Sequence, residues 1–406
     1  MRPVGLANGM GEVRDRVIDP LRVVDTRTYT DPDVYEVESE RIFARDWIFA
    51  CHESEIASPG DFVTLTVAGS PIVVTRDESY TLRGFFNSCR HRGSQVVAEP
   101  CGHARQFRCP YHWWVYASNG DLIGVPGEDA YDYDGSGFSK EDLGLVAVRA
   151  ESAHGLVFVC LDPGSPPLSA FLGNAADVVA VPFATADLEV IHKTSYCLHA
   201  NWKCYAENAR DGYHVPFVHP DLRQLSRTPL GYSLLDNAHA VQRIATEPGN
   251  LDPEEFARLE RNTLPGASPG EGYVVQIYPH LLIAFRNSMV GIESVHPLSP
   301  TKTRMESRVL GLVGDDEATS ADRLATWEQW INRPNRTEDV PVIEQQQRGL
   351  HSRGVRYILV NRGSDNPEGI RGDDNRIRHF WARWRAQLGT SSNSFDTASD
   401  PLTRAQ

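Results

Sequence analysis

The stretch from Asn201 to Pro220 holds two histidines and two acidic residues within one potential helix. It reads NWKCYAENARDGYHVPFVHP. A helix of about three turns is expected over 202–213, and Pro216 is expected to end it, because the proline ring clashes with the preceding turn. Residues three, four or seven apart share a helix face, which groups four side chains: Glu207, Asn208, Asp211 and His214.

His214 and His219 are candidate metal ligands. Two imidazoles five residues apart across a helix end could bind one ion and leave positions for a carboxylate, water or dioxygen. The spacing differs from HExxH, in which the histidines are four apart on an unbroken helix. A capped helix end with two hydrogen-bonded histidines fits the same residues, so this stretch alone leaves both interpretations open.

A second set of candidates lies upstream in two short loops, each of which offers one thiolate and one imidazole. The pairs are Cys89 with His91, and Cys109 with His112. Such a set fits a tetrahedral zinc site, and it also fits a two-iron cluster with cysteines on one iron and histidines on the other. Cys101 and His103 form a further C-x-H, but the spacing of this pair to either neighbouring loop fits no ligand pattern that we know, so we assign both residues to the connection.

The surrounding elements divide the 406 residues into four parts. Residues 1–45 are a lead-in with one short helix near Pro32–Arg45, and residues 46–162 are rich in short alternating strands typical of an antiparallel β domain. Residues 163–395, which begin with a segment dense in Pro and Gly, combine predicted antiparallel strands with amphipathic helices. Residues 396–406 are expected to be a flexible tail.

Composition excludes several function classes. The chain is 41% hydrophobic and 23% charged, as is usual for a globular protein, and it has no apolar run long enough for a membrane span. A net charge of -14 argues against nucleic acid as a partner. The amino terminus has no signal-peptide core, so we expect a cytoplasmic protein with reduced cysteines. We find no glycine-rich phosphate loop, so nucleotide binding by this chain is not expected.

Together the two motifs resemble those of the large subunit of the Rieske non-haem iron oxygenases, the group that includes naphthalene and benzoate dioxygenases. The matching pieces are C-x-H-R-G, C-P-Y-H, N-W-K and E-N-x-x-D-x-Y-H-x-x-x-x-H, in that order. The likeness runs from about Ile42 to Leu388. One departure is Trp113, which stands where the family usually has a glycine.

The resemblance implies an α+β fold with an antiparallel β Rieske domain and a helix-grip catalytic domain, on which the lead-in packs. It implies a Rieske [2Fe-2S] cluster held by four residues: Cys89, His91, Cys109 and His112. It further implies a mononuclear ferrous ion on His214 and His219. The third ligand is expected in TEDVPVIEQQQRGL, where the family motif points to Asp339 and leaves Glu338 and Glu344 as alternatives in other registers.

Two residues are implied to act beside the iron. Asp211 is implied to accept the second N–H of His214 and to connect the iron site with the cluster of a neighbouring subunit. Asn208 is implied to lie near the iron, and packing or helix capping is its alternative role. Arg286 and His280 are candidate anchors for a substrate carboxylate, although residues at such positions more often face solvent.

The implied function is that of a terminal oxygenase, which uses dioxygen to hydroxylate an aromatic ring, with an aromatic acid as a candidate substrate. Electrons would come from a separate reductase, with or without a ferredoxin, and the assembly would be a homotrimer or α3β3. Five arginines near the cluster loops could dock the donor or bond locally: Arg83, Arg90, Arg92, Arg105 and Arg108.

Three alternatives remain at the level of sequence. The same ligand motifs serve relatives that remove N- or O-methyl groups or that oxidise a position outside the ring. A Rieske electron carrier would need no mononuclear site. A structural zinc protein could use the same cysteines and histidines, but it leaves the Asn201–Pro220 stretch unexplained.

Overall fold

The computed structural model describes residues 20–131, 137–183, 186–220, 231–245, 253–267, 271–366, 368–370 and 372–389. These residues contain two large antiparallel sheets, with helices packed against the second, which confirms the predicted α+β class. No helix in the described part of the chain has both the length and the apolar character needed to cross a bilayer. The predicted tail 396–406 and residues 1–19 of the predicted lead-in lie outside the described residues.

Strands are numbered β1 to β20 in chain order, and seven of them form the first sheet, in the order β2-β11-β10-β5-β4-β3-β6. Its strands are β2 (Ile48–His52), β3 (Asp61–Val67), β4 (Ser70–Arg76), β5 (Leu82–Phe86), β6 (Cys101–His103), β10 (Ala147–Ala153) and β11 (Leu156–Cys160). Every side chain of β11 is buried, which explains its unbroken apolar sequence.

A smaller sheet carries the second cysteine loop. Its strands are β7 (Gln106–Arg108), β8 (Val115–Ala117) and β9 (Leu122–Gly124). The loop that contains Cys109 and His112 connects β7 to β8, and the loop that contains Cys89 and His91 follows β5. Both loops are therefore anchored by strands.

The largest sheet has eight strands, in the order β12-β18-β17-β16-β15-β14-β13-β20. Its strands are β12 (Leu188–Leu198), β13 (Gly231–Leu234), β14 (Ala240–Ala245), β15 (Glu271–Ile277), β16 (Leu281–Arg286), β17 (Met289–Ser299), β18 (Lys302–Leu312) and β20 (Glu368–Ile370). Two further strands, β1 (Val23–Asp25) and β19 (Tyr357–Leu359), pair with each other. Gln242, Val274 and Ala284 are direct neighbours across three strands of the large sheet.

Nine α-helices lie within the described residues. They are α1 (Pro32–Glu38), α2 (Leu168–Leu172), α3 (Ala175–Phe183), α4 (Trp202–Asn208), α5 (Val215–Val218), α6 (Pro253–Arg261), α7 (Glu317–Trp327), α8 (Val340–Leu350) and α9 (Asn375–Leu388). A π-helical turn, Asn335–Asp339, leads directly into α8. Helices α7 and α9 confirm the amphipathic helices that the sequence predicts within residues 163–395.

The segment around α1 packs on α4 and α9 through one buried acid. Glu38 is 1% exposed and lies 2.6 Å from Lys203 Nζ, which is itself fully buried. The indole N–H groups of Trp202 and Trp384 donate to the same carboxylate at 2.8 and 2.7 Å. Satisfying a buried charge in this way ties the amino-terminal segment to the helices next to the candidate site. The domain limits at 45, 162 and 395 stay predictions.

Candidate active site

The continuous helix predicted over 202–213 is wrong. Helix α4 ends at Asn208, and the short helix α5 begins at Val215. Asp211 accepts a hydrogen bond from the backbone N–H of Tyr213 at 2.6 Å, so its side chain competes with the helical backbone bonds. Pro216 lies in the first turn of α5, where a missing N–H is tolerated, and does not end a helix.

This break brings three ligand-type side chains together. The Nε2 atoms of His214 and His219 are 3.3 Å apart, and Asp339 Oδ1 lies 3.4 and 3.2 Å from them. Among the described residues, these three form the group of ligand-type side chains whose ligand atoms all lie within 4.8 Å of one another. The predicted trio therefore converges from the two ends of α5 and from the π-helical turn before α8.

Carboxylates on the far sides of the two imidazoles fix their tautomers. Asp211 Oδ2 lies 3.1 Å from His214 Nδ1, and Glu338 Oε2 lies 2.6 Å from His219 Nδ1. A carboxylate only accepts hydrogen bonds, so each Nδ1 carries a proton, and Nε2 is the atom of each ring that is left for a metal ion. Two facing Nε2 atoms and a carboxylate oxygen fit a metal cation between them.

Electrostatics support the same conclusion. Burial lowers the pKa of His214, but Asp211 and Asp339 together raise it to about 9. Burial raises the pKa of Asp339, while His214 and His219 bring it down to about 2. The acids thus stabilise positive charge at this point, which a bound metal ion would supply.

The three acids that are candidates for the third ligand differ in position. Asp339 is 4% exposed, and its Oδ1 accepts a hydrogen bond from Asn208 Nδ2 at 3.1 Å. Glu344 instead accepts from the backbone N–H of His199 at 3.0 Å. Glu338 supports His219 from outside, so Asp339 is the acid whose carboxylate faces both Nε2 atoms.

Glu207 does not share a face with the other residues of the stretch, contrary to expectation. Its Oε1 accepts from the Tyr29 hydroxyl at 2.7 Å and from the Trp381 indole at 2.6 Å. Burial raises the pKa of Glu207 to about 7. It therefore belongs to the core between α4, α9 and the amino-terminal segment.

The two cysteine loops have matching backbones. Cys89 N–H donates to Ser94 O and Cys109 N–H donates to Trp114 O, both at 2.8 Å. In each loop the residue four positions after the cysteine has a positive φ, +72° for Gly93 and +61° for Trp113. Trp113 thus adopts the left-handed conformation that favours glycine. With tryptophan in place of the usual glycine, the second loop keeps the same backbone conformation as the first, but the backbone of Trp113 is strained.

The four loop side chains form two pairs. The rings of His91 and His112 have centroids 4.5 Å apart, and His91 stacks on Trp114 at 5.0 Å. His91 Nδ1 is buried without a hydrogen-bond partner among the described residues. Burial raises the pKa of the Cys89 thiol, and the neighbouring Cys109 thiol also raises it. A thiol pair and an imidazole pair suit a two-iron cluster.

A single zinc ion fits these loops poorly. Four ligands of one tetrahedral ion would lie within about 4 Å of one another, because zinc bonds are about 2.0–2.3 Å long. In the described structure, no three of the four side chains have ligand atoms that all lie within 4.8 Å of one another. Cys101 and His103 lie on β6, outside both loops, and His103 bonds Asp61 at 2.9 Å. They remain residues of the connection.

A cavity opens beside the His-His-Asp group. It is lined by the eight-stranded sheet and by the π-helical turn, with these residues among others: Gln242, Val274, Ala284, Arg286, Trp330 and Asn335. The predicted anchor Arg286 lies there. His280 does not, because it is 2% exposed and its Nε2 accepts from the backbone N–H of Phe49. Anchoring of a substrate by His280 is therefore wrong.

Models of two protein families match this chain. A family model for the Rieske [2Fe-2S] domain matches residues 46–141, and a model for the ring hydroxylating alpha subunit (catalytic domain) matches residues 185–390. The chain belongs to the Rieske ring-hydroxylating oxygenases. The cofactors of this oxygenase are accordingly a [2Fe-2S] cluster and a mononuclear iron, which confirms the predicted cofactors.

Individual relatives span almost the whole oxygenase. The 2-aminobenzenesulfonate 2,3-dioxygenase subunit alpha of Alcaligenes sp. is 34% identical over 384 residues, covering 91% of this chain and 94% of that one. The anthranilate 1,2-dioxygenase large subunit of Acinetobacter baylyi is 29% identical, with coverages of 92% and 83%. The solved naphthalene 1,2-dioxygenase of Rhodococcus sp. has a TM-score of 0.79 at 26% identity, with coverages of 91% and 95%.

Sequence reasoning missed two residues of this oxygenase that touch candidate ligands. Tyr116 lies with its hydroxyl 3.2 Å from Cys89 Sγ and also accepts from the Arg90 N–H. The sequence offers Glu338 only as an alternative iron ligand, whereas in the structure its carboxylate accepts from His219 Nδ1. Neither role has a local sequence signal, because the contacts join residues 27 and 119 positions apart.

Proposed function

We propose that this alpha subunit hydroxylates the ring of an aromatic acid, with iron on His214, His219 and Asp339. The cluster would be held by the two loop pairs, Cys89 with Cys109 and His91 with His112. The observation that carries the substrate proposal is Arg286, a cationic side chain in the lining of the cavity next to the three iron ligands.

Arg286 is placed by the sheet. It ends β16 on the same face as Leu282 and Ala284, because alternate residues of a strand share a face. Its guanidinium lies over the Trp330 ring at 5.1 Å, and Trp330 also lines the cavity. A guanidinium binds planar carboxylate and sulfonate groups well, so the cavity suits a ring that carries an anion. The named substrates of the two relatives above, 2-aminobenzenesulfonate and anthranilate, are such rings.

The protein residues position the reaction. When bound, the ferrous ion supplies the activation of dioxygen, with electrons stored by the cluster. Asp211 and Glu338 hold the two imidazoles with Nε2 toward the ion, and Asn208 holds the Asp339 carboxylate by a hydrogen bond. Val274 and Ala284 provide apolar surface for the ring, and Arg286 sets its direction by holding the anion.

Electrons are proposed to come from a separate reductase, directly or through a ferredoxin, to a homotrimer or α3β3 assembly in which Asp211 connects iron and cluster of neighbouring subunits. The docking role of the arginines remains a proposal of its own. Arg83 pairs with Asp77 at 2.9 Å, and Arg90 bonds Gly144 O, which are local roles. Arg105 has an 81% exposed side chain 3.8 Å from Glu78, and Arg92 and Arg108 are exposed as well, so we propose these three arginines for contact with an acidic donor.

Product analysis tests the proposed function. The loaded oxygenase, with a reductase, is given benzoate under isotopically labelled dioxygen, and we expect label in hydroxyl groups on the ring. Arg286→Gln should raise KM for benzoate by about tenfold or more while kcat changes less, because a charge-assisted contact is lost. Reductant consumption coupled to demethylation of N-methylated anilines, without ring products, would overturn the proposal in favour of a demethylase.

A further inference from the structure

Two amide side chains line the same cavity, and each is held by a buried charged residue. Gln242 lies on β14, and Asn335 begins the π-helical turn that ends at Asp339. The oxygen and nitrogen ends of an amide are interchangeable in shape, so its hydrogen-bond partners decide which end faces the cavity. In this structure, the hydrogen-bond partners determine the orientation of both amides.

Gln242 is oriented by an arginine. Arg376 is fully buried, and its Nη1 donates to Gln242 Oε1 at 2.6 Å. A guanidinium has donors and no acceptor, so the end of the amide toward Arg376 must be the oxygen. The Nε2 group, which can only donate, therefore points away from Arg376 and is the end that Gln242 can present to the cavity.

Asn335 is oriented in the opposite sense by an acid. Its Nδ2 lies 2.9 and 3.0 Å from the two carboxylate oxygens of Glu293, which is 1% exposed. Even a protonated carboxyl has a single O–H, so contact with both oxygens requires the nitrogen of Asn335 on that side. Tyr205 also donates to Glu293, at 2.6 Å. The Oδ1 atom, an acceptor, is the end that Asn335 can present to the cavity.

The two amides approach the cavity from different walls. Gln242, Val274 and Ala284 form one row across the sheet, and Arg286 lies two residues beyond Ala284 on the same face. Asn335 lies four residues before Asp339, about one helical turn from the iron ligand. The sheet wall thus offers donors, and the helical wall offers an acceptor next to the iron site.

We propose that this pair of amides selects a ring with two different substituents: an oxygen anion, which accepts from Gln242 and Arg286, and an N–H group, which donates to Asn335. Arg376 and Glu293 are positioning residues that fix the two amides and do not touch the substrate. The proposal rests on the proposed function and adds the second substituent to it. A ring without the N–H would leave the Asn335 acceptor unpaired, which lowers affinity.

Four ligands test the individual contacts in the parent protein: 2-aminobenzoate, benzoate, aniline and 2-methylbenzoate. Equilibrium dialysis of the metal-loaded protein without oxygen gives each Kd independently of turnover. We expect 2-aminobenzoate to bind about three- to tenfold more tightly than benzoate, as for one neutral hydrogen bond. 2-Methylbenzoate, whose methyl group has the size of an amino group but offers no N–H, should lose this gain, and aniline should bind more weakly than 2-aminobenzoate or benzoate.

Two variants assign the preferences to the amides. Asn335→Leu should make 2-aminobenzoate and benzoate bind equally while acids remain preferred over aniline. Gln242→Met should weaken both acids about three- to tenfold and leave their ratio unchanged. Ile244→Val is the matched control, since Ile244 lies on β14 and lines the same cavity but has no polar group. It should change all four constants alike.

The outcomes separate this proposal from the proposed function. Equal parent affinities for 2-aminobenzoate and benzoate, with ring hydroxylation of both, would overturn the role of the amides and leave ring hydroxylation standing. An unchanged ratio in a folded, iron-loaded Asn335→Leu variant would also overturn it. If no aromatic acid binds or is hydroxylated, both proposals fail. The comparison of 2-aminobenzoate with 2-methylbenzoate needs no variant, so it decides the matter even if the variants do not fold.

Discussion

At the scale of single residues, the candidate iron site depends on carboxylates outside the ligand trio. Asp211 and Glu338 each hold the Nδ1 side of one histidine, and Asn208 bonds the third ligand. The resemblance implied Asp211 and Asn208 in these places. The role of Glu338 could not be foreseen, because it depends on a contact between His219 and a helix more than a hundred residues downstream.

Glu338→Ala tests this support. We expect affinity for the mononuclear iron to fall about 10- to 100-fold, because His219 loses the acceptor that orients its ring. Iron retained against increasing concentrations of a ferrous chelator measures the change, with cluster absorbance as an internal reference. Glu344→Ala is the control, since Glu344 contacts the His199 backbone. Equal iron retention by the two variants would show that Glu338 has no part in the site.

The buried carboxyl of Glu207 is expected to make the stability of the folded protein depend on pH. Its folded pKa of about 7 lies above that of an exposed glutamate, so the folded state binds more protons than the unfolded state between about pH 4.5 and 7. Protonated Glu207 therefore stabilises the folded state below this pH range, and that contribution is lost as the pH rises through the range. Glu207→Gln, which can still accept from Tyr29 and Trp381, should abolish this loss.

The measurement is the difference in Tm between Glu207→Gln and the parent across that pH range. We expect the variant to gain relative to the parent as pH rises, by up to about 3 kcal/mol in free energy of unfolding. A difference that does not change with pH would mean that Glu207 ionises normally in the folded protein.

At the scale of elements, most strands and the helices α7 and α9 follow from apolar periodicity, since their burial is set by local pattern. The failure lies in the stretch that holds the two candidate iron histidines. A helical period predicted one helix, but Asp211 bonds its own backbone and Pro216 starts a new turn. Both residues interrupt the helix between Asn208 and Val215, and this break lets the two histidines converge. Helical periodicity therefore failed to predict the structure at the candidate site.

Trp113 provides a test in the second cysteine loop. Its φ of +61° is disfavoured for any side chain with a Cβ, and its indole is largely exposed, so little burial offsets the strain. Trp113→Gly should therefore be more stable than Trp113→Ala by about 1 kcal/mol. Both variants lose the Arg108 contact with the indole, which makes alanine the matched control.

The temperature at which the cluster absorbance is lost reports the difference between these two variants. The glycine variant should retain its cluster to the higher temperature. Identical midpoints would show that the loop relaxes around a side chain and that its backbone is not strained.

At the scale of the whole molecule, the sequence motifs predicted two metal centres in two antiparallel β structures, and the family matches agree with that plan. Motif spacing sufficed for the candidate ligands because each pair of loop ligands is local in sequence. It could not predict which way Gln242 and Asn335 point, since their orientation depends on Arg376 and Glu293, 134 and 42 residues away.

The buried pair Lys203–Glu38 tests how the amino-terminal segment is held. Lys203→Met leaves Glu38 buried without its cation, and we expect a loss of about 3–5 kcal/mol in the free energy of unfolding. Adding Glu38→Gln should recover part of that loss, because the remaining group is neutral, but its single amide oxygen can accept from only one of the two indoles. Urea unfolding measures both. A loss in the single variant that the second substitution does not reduce would contradict a charge effect.

Iron and acid-labile sulfide per chain test the central claim, that this chain carries a Rieske cluster and a separate mononuclear iron on the proposed ligands. For protein purified without oxygen, we predict about three irons and two sulfides. His214→Ala should fall to about two irons with sulfide unchanged. Zinc without sulfide in the parent, or loss of sulfide together with iron in the variant, would contradict the account.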